Sequence, residues 1–243
     1  MRALRILLII AVILGALFVV VDRVAVHFAE SQAADRLKST ENLASTPDVS
    51  IKGFPFLTQV ASGELDDIEI GIKDYQAATG NGEQRIRIDD LRADMRGVKF
   101  SGDYRSATAS DATGTATIAY DELLKTAKSE STQVAPGVTA QVVGLSDGGD
   151  GRIKVDVVGT VLGTKLPVSV LSSVTVKDDK VQVQADTLPK FGGVQIAEDR
   201  MRSITDFQQA IDRLPGGVRL DSVRAAKGGV EITVKGSDVR LAG

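Results

Sequence analysis

Asp67-Ile68-Glu69-Ile70-Gly71-Ile72 decides the reading of this chain. Isoleucine takes every second position, and carboxylates and a glycine take the others. As a strand the hexapeptide has one dry face and one wet face, the pattern of an antiparallel sheet covered on one side. The alternation returns in residues 85–89, 152–157, 180–185 and 231–235. Turn chemistry separates these segments: Gly80-Asn81-Gly82, Asp147-Gly148-Gly149-Asp150-Gly151, Asp178-Asp179 and Lys227-Gly228-Gly229. Most gaps suit hairpins, so a meander is expected rather than βαβ crossovers.

Helical periodicity appears in three places. Across 22–44, Val26, Ala29, Ala33, Leu37, Thr40 and Ala44 recur at spacings of three and four and share a narrow face, with Pro47 as the stop. Residues 121–128 place Leu123, Leu124 and Ala127 behind an Asp121 cap. Residues 205–214 set Phe207, Ala210, Ile211 and Leu214 on one side, with Thr205 and Gln208 as a capping box and Pro215-Gly216-Gly217 as the stop. The class is therefore α+β.

Residues 6–21 form a run of 16 without a charged or polar side chain, preceded by Arg2 and Arg5. As a helix this run is about 24 Å long, against a hydrocarbon core of about 30 Å. Leu4 and a snorkelling Arg5 extend it. A cleaved secretory signal and a retained anchor compete for the segment. Asp22-Arg23-Val24 follows the run directly, where a cleavage site needs small residues, and Ala29-Glu30-Ser31 lies far out. The retained anchor is the better fit, giving residues 1–28 as a signal anchor and 29–243 as one domain. Arginines ahead of the run keep the N-terminus cytoplasmic and export the body.

Composition excludes much. The 243 residues carry a net charge of −3, and setting aside Arg2 and Arg5 leaves 27 cationic against 32 acidic side chains, a net of −5. Such a body does not adhere to anionic lipid by bulk electrostatics. It also lacks the basic, aromatic footprint of a nucleic-acid binder. With no cysteine there is no thiolate metal site or cysteine nucleophile, and His27 is the only histidine for any triad. His27 itself reads as an interfacial polar residue or a phosphate contact. The pairs Asp66-Asp67, Asp89-Asp90 and Asp178-Asp179 read as strand ends and turns, because neighbours on a strand face opposite ways. Residues 147–150 lack the spacing of a calcium loop. No cofactor, metal or catalytic residue is expected.

The most informative stretch is Val49-Ser50-Ile51-Lys52-Gly53-Phe54-Pro55-Phe56-Leu57-Thr58-Gln59-Val60. Pro55 stiffens a short non-helical segment that presents Phe54, Phe56 and Leu57. They read either as a plug of the core or as the rim of a cavity. This stretch, with Gly63-Glu64-Leu65, Ile68-Glu69-Ile70, Ile118-Ala119-Tyr120-Asp121-Glu122-Leu123 and Leu214-Pro215-Gly216-Gly217-Val218-Arg219-Leu220, resembles the LmeA-like phospholipid-binding family of actinobacterial envelopes. The resemblance implies a membrane-associated, non-enzymatic envelope protein with a tubular lipid-binding type of fold, a long twisted antiparallel sheet wrapped about helices. It implies a phospholipid partner and, from mycobacterial relatives, a link to lipoglycan assembly.

The dry faces suit that role. Ile68, Ile70, Ile72, Ile86, Ile88, Val155 and Val157 are expected to line an apolar cavity in which a lipid is held or shuttled, with Phe54, Phe56 and Leu57 near an opening. An acyl chain gains about 0.8 kcal/mol per buried CH₂, so ten methylenes outweigh any surface contact. A scaffold that recruits a partner protein through a sheet edge is the alternative. A hydrolase comes last.

Overall fold

The computed structural model describes residues 2–78, 85–102, 106–126, 131–177, 180–188, 198–199, 202, 206–210 and 217–242. Helix α1 (Arg2–Thr40) is continuous from the apolar run into the body and passes unbroken through the 28/29 boundary. Its ending differs from the expected stop at Pro47. Asn42 takes a left-handed conformation, and the Leu43 N–H bonds back to the Lys38 carbonyl at 2.9 Å, which closes the helix two residues past Thr40.

Two six-stranded sheets follow. The first has the order β1 (Asp48–Lys52), β2 (Glu64–Ala78), β3 (Arg85–Phe100), β4 (Ala107–Ile118), β12 (Gly229–Ala242), β11 (Arg219–Ala226). The second is a pure meander of β10 (Phe207–Ala210), β9 (Lys180–Ala185), β8 (Thr164–Lys177), β7 (Arg152–Val161), β6 (Val138–Gly149) and β5 (Thr132–Ala135). All five alternating segments are strands. Helices α2 (Phe56–Ser62) and α3 (Tyr120–Thr126) are short. This is the expected α+β, antiparallel class.

Residues 205–214 depart from the expected helix. Their described part, Phe207–Ala210, is a strand paired antiparallel with β9, Phe207 opposite Val183. The open edge of β9 offers unpaired backbone groups, and filling them outweighs a weak 3.6-residue periodicity. Thr205, Ile211 and Leu214 lie outside the described residues, as do Ala127 and the Gly80-Asn81-Gly82 and Asp178-Asp179 turns. The Asp147 segment is the tight turn its composition implies: the Asp147 carboxylate accepts the Gly149 N–H at 2.9 Å.

The chain forms two compact units. The first comprises residues 1–72, 92–113 and 236–243, and the second residues 73–91 and 114–235. The core of the second is built from alternate residues of its meander: Val138, Ala140 and Val142 of β6, Ile153, Val155 and Val157 of β7, and Val170 of β8. Register explains the density. Val157 stands opposite Val142 on one side and Val168 on the other, and Val155 opposite Leu145 and Val170. Stacked β-branched pairs fill a pleated face with little void. Leu123 and Leu124 of α3 pack against this cluster.

In the first unit the core is thinner, with Phe56, Leu65, Ile72, Met95 and Val98 buried beside several alanines. The buried side of α1 here is Asp22, Val26 and Ala34. The expected stripe is thus only partly realised: Val26 is buried, Ala29 and Leu37 are half-buried, and Ala33, Thr40 and Ala44 are exposed. Polar ties described below, rather than the alanine stripe alone, select the face.

Candidate lipid-binding site

The corner between β1 and β2 carries the Gly53-Phe54-Pro55-Phe56-Leu57-Thr58-Gln59 sequence. Gly53 has φ +91°, and a Cβ there would collide with the Asp66 carboxylate and the Gln59 amide, so only glycine turns the chain here. The Phe54–Pro55 peptide is cis. The chain then enters α2, which ends at Gly63 in the left-handed conformation, its N–H on the Gln59 and Val60 carbonyls.

Pro55 offers no side chain to cap α2. The cap comes from another element. The Asp22 carboxylate of α1 is fully enclosed and accepts the Leu57 N–H at 2.8 Å, while Arg23 closes on it at 2.5 Å. A carboxylate on the first turn of a helix meets its unpaired N–H groups and the positive end of its dipole. Gln59 works from inside the corner. Its amide donates to the Lys52 carbonyl at 3.4 Å and accepts the Asp66 N–H at 2.8 Å, joining the end of β1 to the start of β2. On the outer edge of β1 the Ile51 N–H donates to the Glu30 carboxylate at 2.9 Å. An edge strand otherwise left open is thereby covered by α1.

The two phenylalanines diverge. Phe56 is buried, whereas Phe54 is 57 % exposed and lies under the Arg23 guanidinium, 5.2 Å from its ring centre. Leu57, Ile68 and Ile70 are half-buried and Ile72 is buried, all within the first unit. Ile68 and Ile70 stand opposite Ile51 and Val49 of β1, which makes one apolar strip. In the second unit Ile86 and Ile88 are half-buried, while Val155 and Val157 are enclosed in the valine core. The ten residues predicted to line an apolar space therefore fall into two groups, one in each unit.

Two open recesses among the described residues lie in the first unit. One, of about 450 Å³, is walled by Arg23, Val26, His27 and Glu30 of α1 and by residues 50–53. His27 Nδ1 is 3.2 Å from Glu30 in its wall. The other, of about 430 Å³, is polar and lies over Asp94, Arg96, Asp111 and Thr113. Beside it Asp67, Glu69 and Asp94 bring carboxylate oxygens within 4.8 Å of one another. Arg96 already occupies the place of a counter-ion, 3.2 Å from Asp94 and 3.7 Å from Asp67. Burial pushes the Asp67 carboxyl above its usual range, the Asp94 charge adds to this, and Arg96 opposes it.

In the second unit two polar residues tie α3 down. Glu122 is buried, bonds Lys125 at 2.5 Å and accepts the Arg87 N–H at 3.4 Å; the Lys125 bond holds its carboxyl below the usual range. Burial pushes the Tyr120 hydroxyl up, so it stays a donor to the Ala226 carbonyl at 2.8 Å. Residues 118–123, which carried part of the family resemblance, thus serve the architecture.

Asp22, Glu30 and Gln59 were not singled out from the sequence. The usable signal was Asp22 itself, an acid set against the end of an apolar run with no cleavage pattern behind it. A family model described as LmeA-like phospholipid-binding matches residues 20–235. No curated protein and no solved structure matches. The matched span opens at Val20, ahead of Asp22, and takes in the corner, the Glu122 tie and both sheets as far as residue 235 in β12; the chain belongs to the LmeA-like phospholipid-binding family.

Proposed function

We propose that this protein is held in a membrane by α1 and keeps a phospholipid on an apolar surface of its extracytoplasmic body, without catalysis, in support of envelope lipid or lipoglycan assembly. The observation that carries the reading is the wiring of α1 into the corner. The helix holds a stretch long and apolar enough to cross a membrane, and one residue beyond that stretch Asp22 caps α2. The lipid-binding body therefore stands at the membrane surface rather than on a loose tether.

In the first unit Phe54, Leu57, Ile68 and Ile70 supply the half-open apolar surface for acyl chains. Ten buried methylenes contribute about 8 kcal/mol, and Arg23 and Lys52 beside the recess only orient a headgroup. Ile86 and Ile88 give the second unit a smaller surface of the same kind, while Val155 and Val157 act as structural core.

The test is the full-length protein, extracted in mild detergent and analysed by native mass spectrometry with lipid extraction. A co-purifying phospholipid in stoichiometric amount is expected. Protein that emerges lipid-free and takes up no phospholipid on incubation with vesicles overturns the reading.

The packed valine core favours a second reading for the second unit, a rigid body that recruits a protein through a sheet edge. The edge strands of its meander sheet, β5 and β10, are four residues each. Edges that short are poor templates for strand addition, which leaves lipid binding the stronger reading.

A further inference from the structure

The uncharged run taken alone is shorter than the hydrocarbon layer, so the membrane-crossing stretch of α1 extends beyond it. Residues 6–21 span about 24 Å, some 6 Å less than the hydrocarbon layer. Counting from Leu4, a helix of about 20 residues ends at Arg23, beside Val24. The obstacles are Asp22 and Arg23, and the structure disarms both. Asp22 faces the corner, fully enclosed, with its charge met by the Leu57 N–H and by Arg23. Arg23 has a long stem and lies over the Phe54 ring. On the opposite side of α1, Val24 is 65 % and Phe28 66 % exposed.

Placing the hydrocarbon edge near Val24 puts the start of α2 at the same depth, because Asp22 pins it there. Phe54, the large exposed apolar side chain of the corner, then lies among lipid. We propose that the Gly53-Phe54-Pro55-Phe56 corner is a wedge seated at the headgroup–acyl boundary of the leaflet on the body's side, its partner being the bilayer that holds α1. This rests on the reading that α1 spans the membrane. The contact is apolar, in keeping with a body of net charge −5 that anionic lipid does not attract. The wedge places the open recess beside Arg23 and Lys52 next to lipid headgroups, so a phospholipid can leave the leaflet without crossing water.

The chain has no tryptophan, so Phe54→Trp and Val24→Trp each install a single reporter in the full-length protein. Both are placed in nanodiscs of phosphatidylcholine and phosphatidylglycerol, with or without bromine on the acyl chains near the ester end. For Phe54→Trp a blue-shifted emission and loss of most of the signal to bromine are expected, matching Val24→Trp. Quenching of Val24→Trp without quenching of Phe54→Trp overturns the wedge while the anchor stands. The same holds if the residue-54 reporter is shielded from acrylamide yet untouched by bromine, which marks a protein contact. Quenching of neither overturns the anchor and the wedge together. Val60→Trp, on the exposed side of α2, repeats the test if the residue-54 variant misfolds. Phospholipid retained by each variant is measured in parallel, so loss of lipid binding is read separately from loss of bilayer contact.

Discussion

The two units solve the same problem differently. In the second, alternate valines of consecutive strands meet in register and close on one another, leaving Val157 1 % exposed. In the first, Ile68 and Ile70 of β2 remain half-open, and the fold is secured by polar ties from Asp22, Glu30 and Gln59. A sheet face filled by its own side chains needs no guest. A sheet face held in shape from its edges and corners can keep surface available for one. The same residue class thus supports a core in one place and a candidate binding surface in the other.

One substitution applied in both units breaks the comparison most severely. Val157→Asp buries a carboxylate with no partner, and a loss of about 4 kcal/mol or more is expected in urea denaturation. A midpoint like that of the parent protein would show that the valine face is not a closed core. Ile70→Asp falls on a half-open face and costs about 2 kcal/mol. The fold persists, and co-purifying phospholipid is lost; retention of lipid by this variant would remove the β2 strip from the binding surface.

Smaller effects sharpen the contrast between polar ties and packing. Gln59→Ala strands the Asp66 N–H and the Lys52 carbonyl and costs about 1–2 kcal/mol. Proteolysis is the readout, with cleavage in residues 53–63 expected to quicken, and unchanged digestion would deny the clamp. Acid behaviour separates Glu122 from Asp67, two of the carboxylates that burial and partners perturb. Glu122 is held below its usual range, so its stabilisation is complete above the ordinary glutamate value of about 4.3 and disappears as pH falls through the depressed value. Glu122→Gln therefore flattens the acid limb of a thermal-melt series. Asp67 is shifted the other way: its charged form is a cost at neutral pH that is relieved as pH falls through the raised value. Asp67→Asn gives a slight gain in melting temperature at neutral pH that fades in acid, and a loss there would reverse the sign.

Much of the architecture was legible because it rests on local periodicity. Alternation marked β2, β3, β7, β9 and β12, and the apolar run marked the first part of α1. The identity of Gly53 and Pro55 marked the corner. Less visible were features that depend on distant partners. Residues 207–210 carry a helical spacing, and only the edge of β9 turns them into a strand. Asp22 and Leu57 are bonded across a wide gap in sequence, and nothing in either neighbourhood announces the bond. Phe54 and Phe56 are the same side chain two positions apart, yet one faces out and the other in, on either side of the entry into α2. The division into two sheets follows from β4 pairing with β12, a long-range choice that hairpin logic does not supply.

The capping of α2 by Asp22 joins the long apolar helix and the corner into one piece. A protease that cut after Ala29 would carry away the acid that caps α2, and the liberated fragment would be weaker at the corner by about 1 kcal/mol, the usual worth of a helix cap.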